Sequence, residues 1–193
     1  MERAFGVIAG LQKFITPVHS DDRGHFLETF RQTDIPRNFV QDNESYSRMH
    51  TLRGLHFQKE HPQAKLVRVV VGKILDVVVD IRPASSTFGD WTAIELNGAT
   101  GAKPVHSVLY IPAGCAHGFL TIDTHAIVQY KCADYYFPHD QHGIRWDDPD
   151  LHITWDKYCS LKEVIVSKQD NAWPSWGATR KELINEREIP KVP

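Results

Sequence analysis

The run KLVRVVVGKILDVVVDIR, residues 65–82, constrains the fold more than any other segment. It is rich in β-branched residues and is broken once, at Gly72-Lys73, where a glycine favours a turn. The run therefore predicts two strands, Lys65–Val71 and Ile74–Arg82, hinged at that glycine. Because alternate residues of a strand share a face, a lysine begins a row otherwise made of valine. The members of that row are Lys65, Val67, Val69 and Val71.

Other short β-branched and aromatic runs, separated by turn residues, predict further strands. They are Thr51–Gln58, Trp91–Leu96, Ser107–Ile111, His117–Ile122, Ala126–Cys132 and His152–Trp155, and the segment FVQDNESYS is also β-like. Loops are expected at Thr33–Pro36 and Pro83–Gly89, and a short helix at Thr179–Glu188. Regularly spaced short strands without an internal repeat are typical of an all-β barrel or sandwich, here one domain over residues 1–193.

The overall charge excludes some functions. With 22 Lys+Arg against 24 Asp+Glu, the net charge is -2, so no general field attracts nucleic acid or an anionic membrane. The three cysteines are odd in number and lack a CxxC spacing, which fits free thiols in a reducing compartment. No run of 18 apolar residues occurs, and we expect a cytoplasmic protein.

The first candidate site residues lie in TLRGLHFQ. In strict alternation Arg53 and His56 would point to opposite faces of the strand. A glycine inside a strand often marks a bulge, so Gly54 could bring both side chains to one cavity. The alternative is that His56 is an ordinary hydrogen-bonded core histidine.

A second segment, IPAGCAHGF, places His117 after a Pro112-x-Gly114 turn and resembles the second motif of the cupin superfamily of small β-barrels. Metal-binding cupins add a His-x-His, which LHFQ lacks. His56, His117 and Glu60 could still hold a metal with open positions, so a metal-dependent enzyme remains an alternative.

Tyr130 completes a set that could move protons. Alternation places Tyr130 with Val128 and Cys132, opposite Gln129 and Lys131. Alone, such a tyrosine is usually a core residue with a satisfied hydroxyl. Together with His56 and Lys65, on strands expected to be adjacent, it suggests proton transfer.

Inversion of a carbon next to a ketone needs these three kinds of group. A base of near-neutral pKa removes the C–H proton, a cation stabilises the enolate, and an acid returns a proton from the opposite face. This chemistry requires neither a redox cofactor nor a metal, and the sequence contains no GxGxxG or P-loop motif. A phosphate-bearing substrate could be held by Arg23, Arg53 and Lys168, although scattered surface cations are the alternative. Gln41-Asp42-Asn43 is either a turn or a hydrogen-bonding group for a base or sugar.

Several segments jointly resemble the RmlC-like dTDP-4-dehydrorhamnose 3,5-epimerases, over about residues 16–170. They are DDRGHFLETF, FVQDNESYS, LRGLHFQ, KLVRVVVGKILDVVVDIR, STFGDW, YIPAGCAHGF, YKCADYY and IRWDDPDL. The resemblance implies a cupin-type jelly-roll β-barrel with short C-terminal helical elements. It also implies a homodimer that exchanges N-terminal strands and a nucleoside-diphosphate 4-keto-6-deoxy sugar as substrate, with neither a nucleic acid nor a membrane as a partner.

The same resemblance implies residue roles. His56 resembles the base, Tyr130 the acid and Lys65 the enolate-stabilising residue, while Asp170 would pair with His56 and hold its tautomer. The implied ligand contacts are Arg23, Glu28, Gln41, Asp42, Asn43, Arg53, His117, Tyr136, Gln141 and Lys168.

Two positions depart from the family pattern. Gln141 stands where an acidic residue is common, and Gln169 separates Lys168 from Asp170. These departures bear on nucleotide and sugar choice and leave the proton-transfer set intact. A single-carbon epimerase on another nucleotide sugar, or a non-catalytic sugar-nucleotide binding protein, therefore remain alternatives.

Overall fold

The protein is described by a computed structural model that covers residues 8–35, 37–98 and 106–188. The ends of the predicted 1–193 domain, and Pro36 of the predicted loop, lie outside these ranges. The strands are β1 (Gln12–Thr16), β2 (His19–Asp21), β3 (Gly24–Phe26), β4 (Gln41–Arg48), β5 (Leu52–Gln58), β6 (Lys65–Val71), β7 (Lys73–Asp80), β8 (Trp91–Asn97), β9 (His106–Ile111), β10 (Cys115–Thr121), β11 (His125–Cys132) and β12 (Gln141–Gly143). One α-helix, α1, covers Trp176–Glu188, and 3-10 helices cover Gln32–Asp34, Pro138–Asp140, Trp155–Lys157, Leu161–Glu163 and Asp170–Ala172.

Two five-stranded antiparallel sheets form the barrel. The first has the strand order β1-β9-β6-β11-β4, and the second has the order β12-β5-β10-β7-β8. Strands β2 and β3 form a separate hairpin near the N-terminus. Within the described ranges, no helix is both long and apolar enough to cross a bilayer.

Strand β7 shows why its sequence is a nearly continuous apolar run. Ile74 and Val78 pack between the two sheets, against Val67 and Val69 of β6. Leu75, Val77 and Val79 point the other way, into a second cluster beneath the C-terminal segment. A strand covered on both faces needs apolar side chains at both phases of the alternation.

The chain outside the barrel covers both sheets. The second sheet packs against tryptophans of the C-terminal segment, among them Trp146, Trp155 and Trp176. The first sheet is partly covered by Ile35 and by aromatic residues of the N-terminal segment. Apolar contacts therefore hold both sheets from outside the barrel as well as between them.

The strand predictions in the middle of the chain are confirmed to within two residues, and β6 has the predicted bounds. The hinge at Gly72 sends β6 and β7 into different sheets, so they do not form a hairpin. Gly72 has a φ of 80°, and a Cβ there would lie 1.9 Å from the carbonyl oxygen of His125. This turn therefore requires glycine.

Two predictions near the C-terminus need correction. The segment His152–Trp155 is not a strand, because His152 adopts a φ of 50° and Trp155 begins a 3-10 helix. The terminal helix begins at Trp176 rather than Thr179. The Trp176 amide donates to the buried carboxylate of Asp148 at 2.8 Å, so a contact distant in sequence satisfies the first turn.

Candidate active site

A cavity of about 350 Å³ lies between the two sheets. The first sheet contributes side chains from β4, β6 and β11, and the second contributes side chains from β5 and β12. Its lining residues are Gln41, Asn43, His56, Phe57, Gln58, Gln63, Lys65, Tyr130, Cys132, Tyr136 and Gln141. Seven of the candidate residues named from the sequence therefore share one cavity: His56, Lys65, Tyr130, Gln41, Asn43, Tyr136 and Gln141.

The imidazole and the phenol come from opposite sheets. His56 lies on β5, whereas Lys65 and Tyr130 lie on the neighbouring strands β6 and β11. The expectation that all three share adjacent strands is thus correct only for Lys65 and Tyr130. A ligand between the sheets would have His56 on one side and Tyr130 on the other.

A buried carboxylate fixes the His56 ring. His56 Nε2 lies 2.6 Å from Asp170 Oδ1, although the two residues are 114 positions apart. With Nε2 carrying the proton and donating to Asp170, Nδ1 is left as an acceptor, and no described residue hydrogen-bonds to it. The pair therefore presents an imidazole with a free basic nitrogen.

Asp170 is itself held by donors. Its carboxylate accepts hydrogen bonds from the Gly54 amide and the Trp173 indole, both at 3.3 Å. Burial raises the pKa of Asp170, but the hydrogen bond and charge of His56, together with these two donors, outweigh burial and hold it below 3.8. Asp170 is therefore an anion at neutral pH.

A β-bulge in β5 sets the direction of His56. Opposite β10, His117 pairs with His56 and Phe119 with Arg53, so three steps along β5 face two steps along β10. The extra residue puts Arg53 and His56 on the same face. Only His56 lines the cavity, so the expectation that Gly54 brings both side chains there is wrong for Arg53. Gly54 has a φ of 109°, and a Cβ there would lie 2.6 Å from backbone atoms of β10.

Trp173 supports the same histidine from beyond the sheet. Its ring lies edge-on to the His56 ring, with centroids 6.1 Å apart. Gly143 pairs with His56 across β12 and β5. It leaves room for the Trp173 ring, because a Cβ on Gly143 would lie 2.5 Å from that indole. The His56 ring is thus enclosed by a carboxylate, an indole and a glycine.

Burial shifts the pKa values of the two groups on the opposite wall. It lowers the pKa of Lys65, and it raises the pKa of Tyr130. Tyr130 is therefore a neutral phenol that can donate a proton at neutral pH. Lys65 forms no hydrogen bond or ion pair with the described residues, so its ammonium is available to a ligand.

Amide side chains link the cavity rim. Gln41 Nε2 donates to Asn43 Oδ1 at 2.9 Å, and the Tyr136 amide donates to Gln41 Oε1 at 2.9 Å. The Tyr136 hydroxyl donates to Gln141, the residue that departs from the family pattern. At this position the rim carries a neutral amide in place of a negative charge.

Six candidates lie away from this cavity within the chain. Asp42 points to the outer face of β4 and pairs with Lys131, and Arg53 bonds Ser47 and the Tyr46 carbonyl. Arg23 pairs with Asp21, and Glu28 with Arg31, both in the exposed N-terminal segment. Lys168 is exposed, and His117 is buried and is not among the residues that line the cavity.

The geometry bears on the metal alternative. His56 Nε2 contacts Asp170, His117 Nε2 contacts Asp76 at 2.8 Å, and Glu60 lies in an exposed loop. No group of three or more His, Cys, Asp or Glu residues in the described ranges is arranged to hold a metal ion. The three proposed ligands are thus not brought together.

Residues of the site or its support that sequence reasoning missed are Phe57, Gln58, Gln63, Cys132, Trp173 and Asp76. Gln58 follows His56 by two residues and could have been found by alternation. Asp76 is an acidic residue inside an apolar run, which is also a usable signal. Trp173 and Gln63 lie in loops, where no periodicity indicates direction.

Two facing antiparallel sheets with an imidazole on one wall, and a phenol and an ammonium on the other, define a cupin-type barrel equipped for proton transfer. The dTDP-4-dehydrorhamnose 3,5-epimerase family model matches residues 7–177. The chain belongs to this family, and the cupin-type fold is confirmed.

The chain aligns with relatives of this family over most of their length. The chain is 45% identical over 161 residues to the dTDP-4-dehydrorhamnose 3,5-epimerase of Methanothermobacter thermautotrophicus, covering 81% of this chain and 84% of the relative. It is 43% identical over 160 residues to the Escherichia coli enzyme of the same name, covering 79% and 82%. The Legionella pneumophila RmlC crystal structure, in complex with dTDP-4-keto-L-rhamnose, superposes with a TM-score of 0.85 at 36% identity, covering 94% of this chain and 96% of that chain.

Proposed function

We propose that this protein is an isomerase that epimerises dTDP-4-dehydro-6-deoxyglucose to dTDP-4-dehydrorhamnose at the carbons next to the ketone. One observation carries the proposal: the His56–Asp170 pair, Lys65 and Tyr130 meet around one cavity, with His56 and Tyr130 on opposite walls. Membership of the epimerase family supports the same reaction.

The residues divide the reaction among them. His56 removes the proton from carbon, and the Asp170 carboxylate stabilises the imidazolium that forms. The Lys65 ammonium stabilises the enolate oxygen, and Tyr130 returns a proton to the opposite face. Repetition on the other side of the ketone would invert the second carbon. Neither a metal nor a redox cofactor enters these steps.

Proton exchange with solvent tests the reaction directly. We expect the protein, given dTDP-4-dehydro-6-deoxyglucose in D₂O, to place deuterium at C3 and C5, as followed by proton NMR. Deuterium at one carbon only would instead identify a single-carbon epimerase. Tight binding of the nucleotide sugar without exchange would identify a binding protein.

Substitution of His56 separates catalysis from folding. His56→Ala should abolish exchange while the circular dichroism spectrum stays that of the folded protein, with a lower melting temperature because the buried Asp170 carboxylate loses its main partner. His152→Asn is the matched control, because His152 is exposed and outside the cavity. Exchange lost on chelation and restored by Fe or Zn would favour the metal-dependent alternative.

We further propose that the protein is a homodimer with exchanged N-terminal strands, and that the ligand contacts include residues of both protomers. Arg23 and Glu28 lie outside the cavity of their own chain, and Phe26 in the same segment is 71% exposed. Exchange of this segment would bring the two charged residues to the other protomer's cavity and cover the apolar side chain.

Complementation tests the exchange. We expect His56→Ala and Arg23→Ala to be nearly inactive as separate proteins. When the two variants are co-expressed at equal levels, about half of the dimers are mixed, and one of the two sites in each mixed dimer combines both intact residues. Roughly a quarter of wild-type activity should therefore return. A monomer by light scattering, or no recovery in mixed dimers, would contradict the exchange.

We also propose one domain over residues 1–193 and a cytoplasmic location. Both sheets contribute to one apolar cluster, which supports a single folding unit. The three cysteines are free thiols, as a reducing compartment favours.

A further inference from the structure

A second His–Asp pair lies beneath the candidate active site. Asp76 is 0% exposed, and its Oδ2 lies 2.8 Å from His117 Nε2. His117 pairs with His56 across β10 and β5, so the two histidines are neighbours in the sheet. The reaction proposed above does not use Asp76.

One oxygen of the Asp76 carboxylate has no hydrogen-bond partner in the part of the chain that the structure describes. Oδ1 is buried and accepts no hydrogen bond from the described residues. A buried carboxylate oxygen without compensation is costly, so a nearby positive charge or donor is expected. Asp76 lies between Ile74 and Val78 on β7, and both of these point into the space between the sheets. Strand alternation directs Asp76 into the same space.

Lys65 approaches that space from the facing sheet. It begins the row that continues with Val67 and Val69, which pack against Ile74 and Val78. Among the described residues no carboxylate lies within 4.0 Å of the Lys65 ammonium, so no direct ion pair forms. A half-buried cation thus shares the interior of one barrel with a buried anion, without touching it.

The other groups that act on Lys65 are neutral at neutral pH. A negative charge on Cys132, Asp76 or Cys115 would raise the pKa of Lys65 against the larger lowering effect of burial. Burial raises the pKa of Cys115 to about 12 and also raises that of Cys132, so both remain thiols. Of these three groups, only the carboxylate carries a negative charge.

Several titratable groups face Lys65 from the packed strands. They are Asp76 of β7, Cys115 of β10, Cys132 and Tyr130 of β11 and His56 of β5, with Tyr136 at the rim.

We propose that Asp76 is a positioning residue that acts as the buried counter-ion of Lys65 and keeps its ammonium charged for enolate stabilisation. The inference rests on the proposed function, because it concerns the electrophile of that reaction. Its Oδ2 is held by His117, which leaves Oδ1 without a hydrogen bond from the described residues. Removing the carboxylate leaves desolvation of Lys65 unopposed, so the lysine loses its proton at lower pH.

A titration without turnover tests the electrostatic part. The Lys65 side-chain resonance, assigned by comparison with Lys65→Arg, is followed by NMR against pH in wild type and in Asp76→Asn. We expect the midpoint in the variant to fall by roughly 1 to 3 pH units. Asp148→Asn is the matched control, because Asp148 is equally buried but faces the C-terminal segment. A midpoint unchanged in Asp76→Asn overturns the proposal.

The pH dependence of exchange tests the link to catalysis. Loss of the Lys65 proton ends enolate stabilisation, so the alkaline limb of the exchange rate should move to lower pH in Asp76→Asn and stay in place in Asp148→Asn. An unmoved limb in an active Asp76→Asn protein overturns the catalytic role. Absence of exchange in the wild type would instead refute the proposed function, and the NMR titration would still decide the counter-ion.

A double-mutant cycle based on melting temperatures covers the case in which Asp76→Asn folds poorly. Lys65→Met leaves the carboxylate without its counter-ion, so adding Asp76→Asn should raise the melting temperature of that variant. Effects of the two substitutions that simply add would contradict the pairing.

Discussion

The Asp170→Asn substitution tests how much the His56–Asp170 pair contributes. The asparagine would keep an oxygen acceptor for His56 Nε2 and nearly the same shape, so the main loss is the negative charge 2.6 Å from the ring. In the wild type the Gly54 amide donates to Asp170 Oδ2. In Asp170→Asn, the orientation that keeps the oxygen on His56 puts the new NH₂ against this amide, so two donors face each other. Some loss of stability is therefore expected beside the loss of rate.

The size of the rate loss follows from the hydrogen bond. A hydrogen bond to a charged group contributes about 1.5–3 kcal/mol. The contribution becomes largest when His56 has taken the proton and both partners are charged. Because about 1.4 kcal/mol corresponds to a factor of ten, the exchange rate should fall roughly 10- to 150-fold.

The assay is the initial rate of deuterium incorporation at saturating substrate, measured well below the melting temperature of the variant. Asp147→Asn is the control, because Asp147 pairs with Arg145 outside the cavity. A rate for Asp170→Asn within about twofold of wild type, with binding unchanged, would refute the argument that this carboxylate assists the base.

Three further substitutions probe the acid, an ion pair and a turn. Tyr130→Phe should leave exchange detectable while inversion slows roughly 10²–10⁴-fold, and equal loss of both by NMR would mean that Tyr130 only positions the substrate. The pKa of Asp80 falls to about 2, because hydrogen bonds, the first from Arg82, outweigh burial, which raises it. Since this folded-state pKa lies below the ordinary 3.8, the stabilisation is present above that value and is lost as pH falls towards 2. Urea unfolding of wild type and Asp80→Asn should therefore converge at acid pH, and a constant difference would contradict this. Gly72→Ala should lower the free energy of unfolding by about 1–3 kcal/mol or more in the same assay, because the added Cβ would meet the His125 carbonyl oxygen. The helical control Gly177→Ala should leave it nearly unchanged.

The sequence by itself determined the local features of the site. Alternation placed Lys65 with the valines of β6 and Tyr130 with Val128, because the side chains of a strand point alternately to its two faces. The glycine in LRGLHFQ indicated the bulge that turns Arg53 and His56 to one face. These features depend on neighbours within a few residues, so the pattern alone contains them.

The tertiary structure decided which local features meet. Residue patterns do not show which sheet each strand joins. His56 and Tyr130 were therefore expected on adjacent strands, whereas the structure places them in different sheets, across the cavity from each other. The motif resemblance implied the Asp170 pairing, but no periodicity could, since the partners are 114 residues apart. The segment His152–Trp155 has the composition of a strand, but β-propensity largely reflects packing. Here the Trp155 indole donates to the Trp146 carbonyl, and this contact lies outside any strand. Contacts between distant segments, formed against the entropy cost of closing the loops between them, brought separate strands into one site.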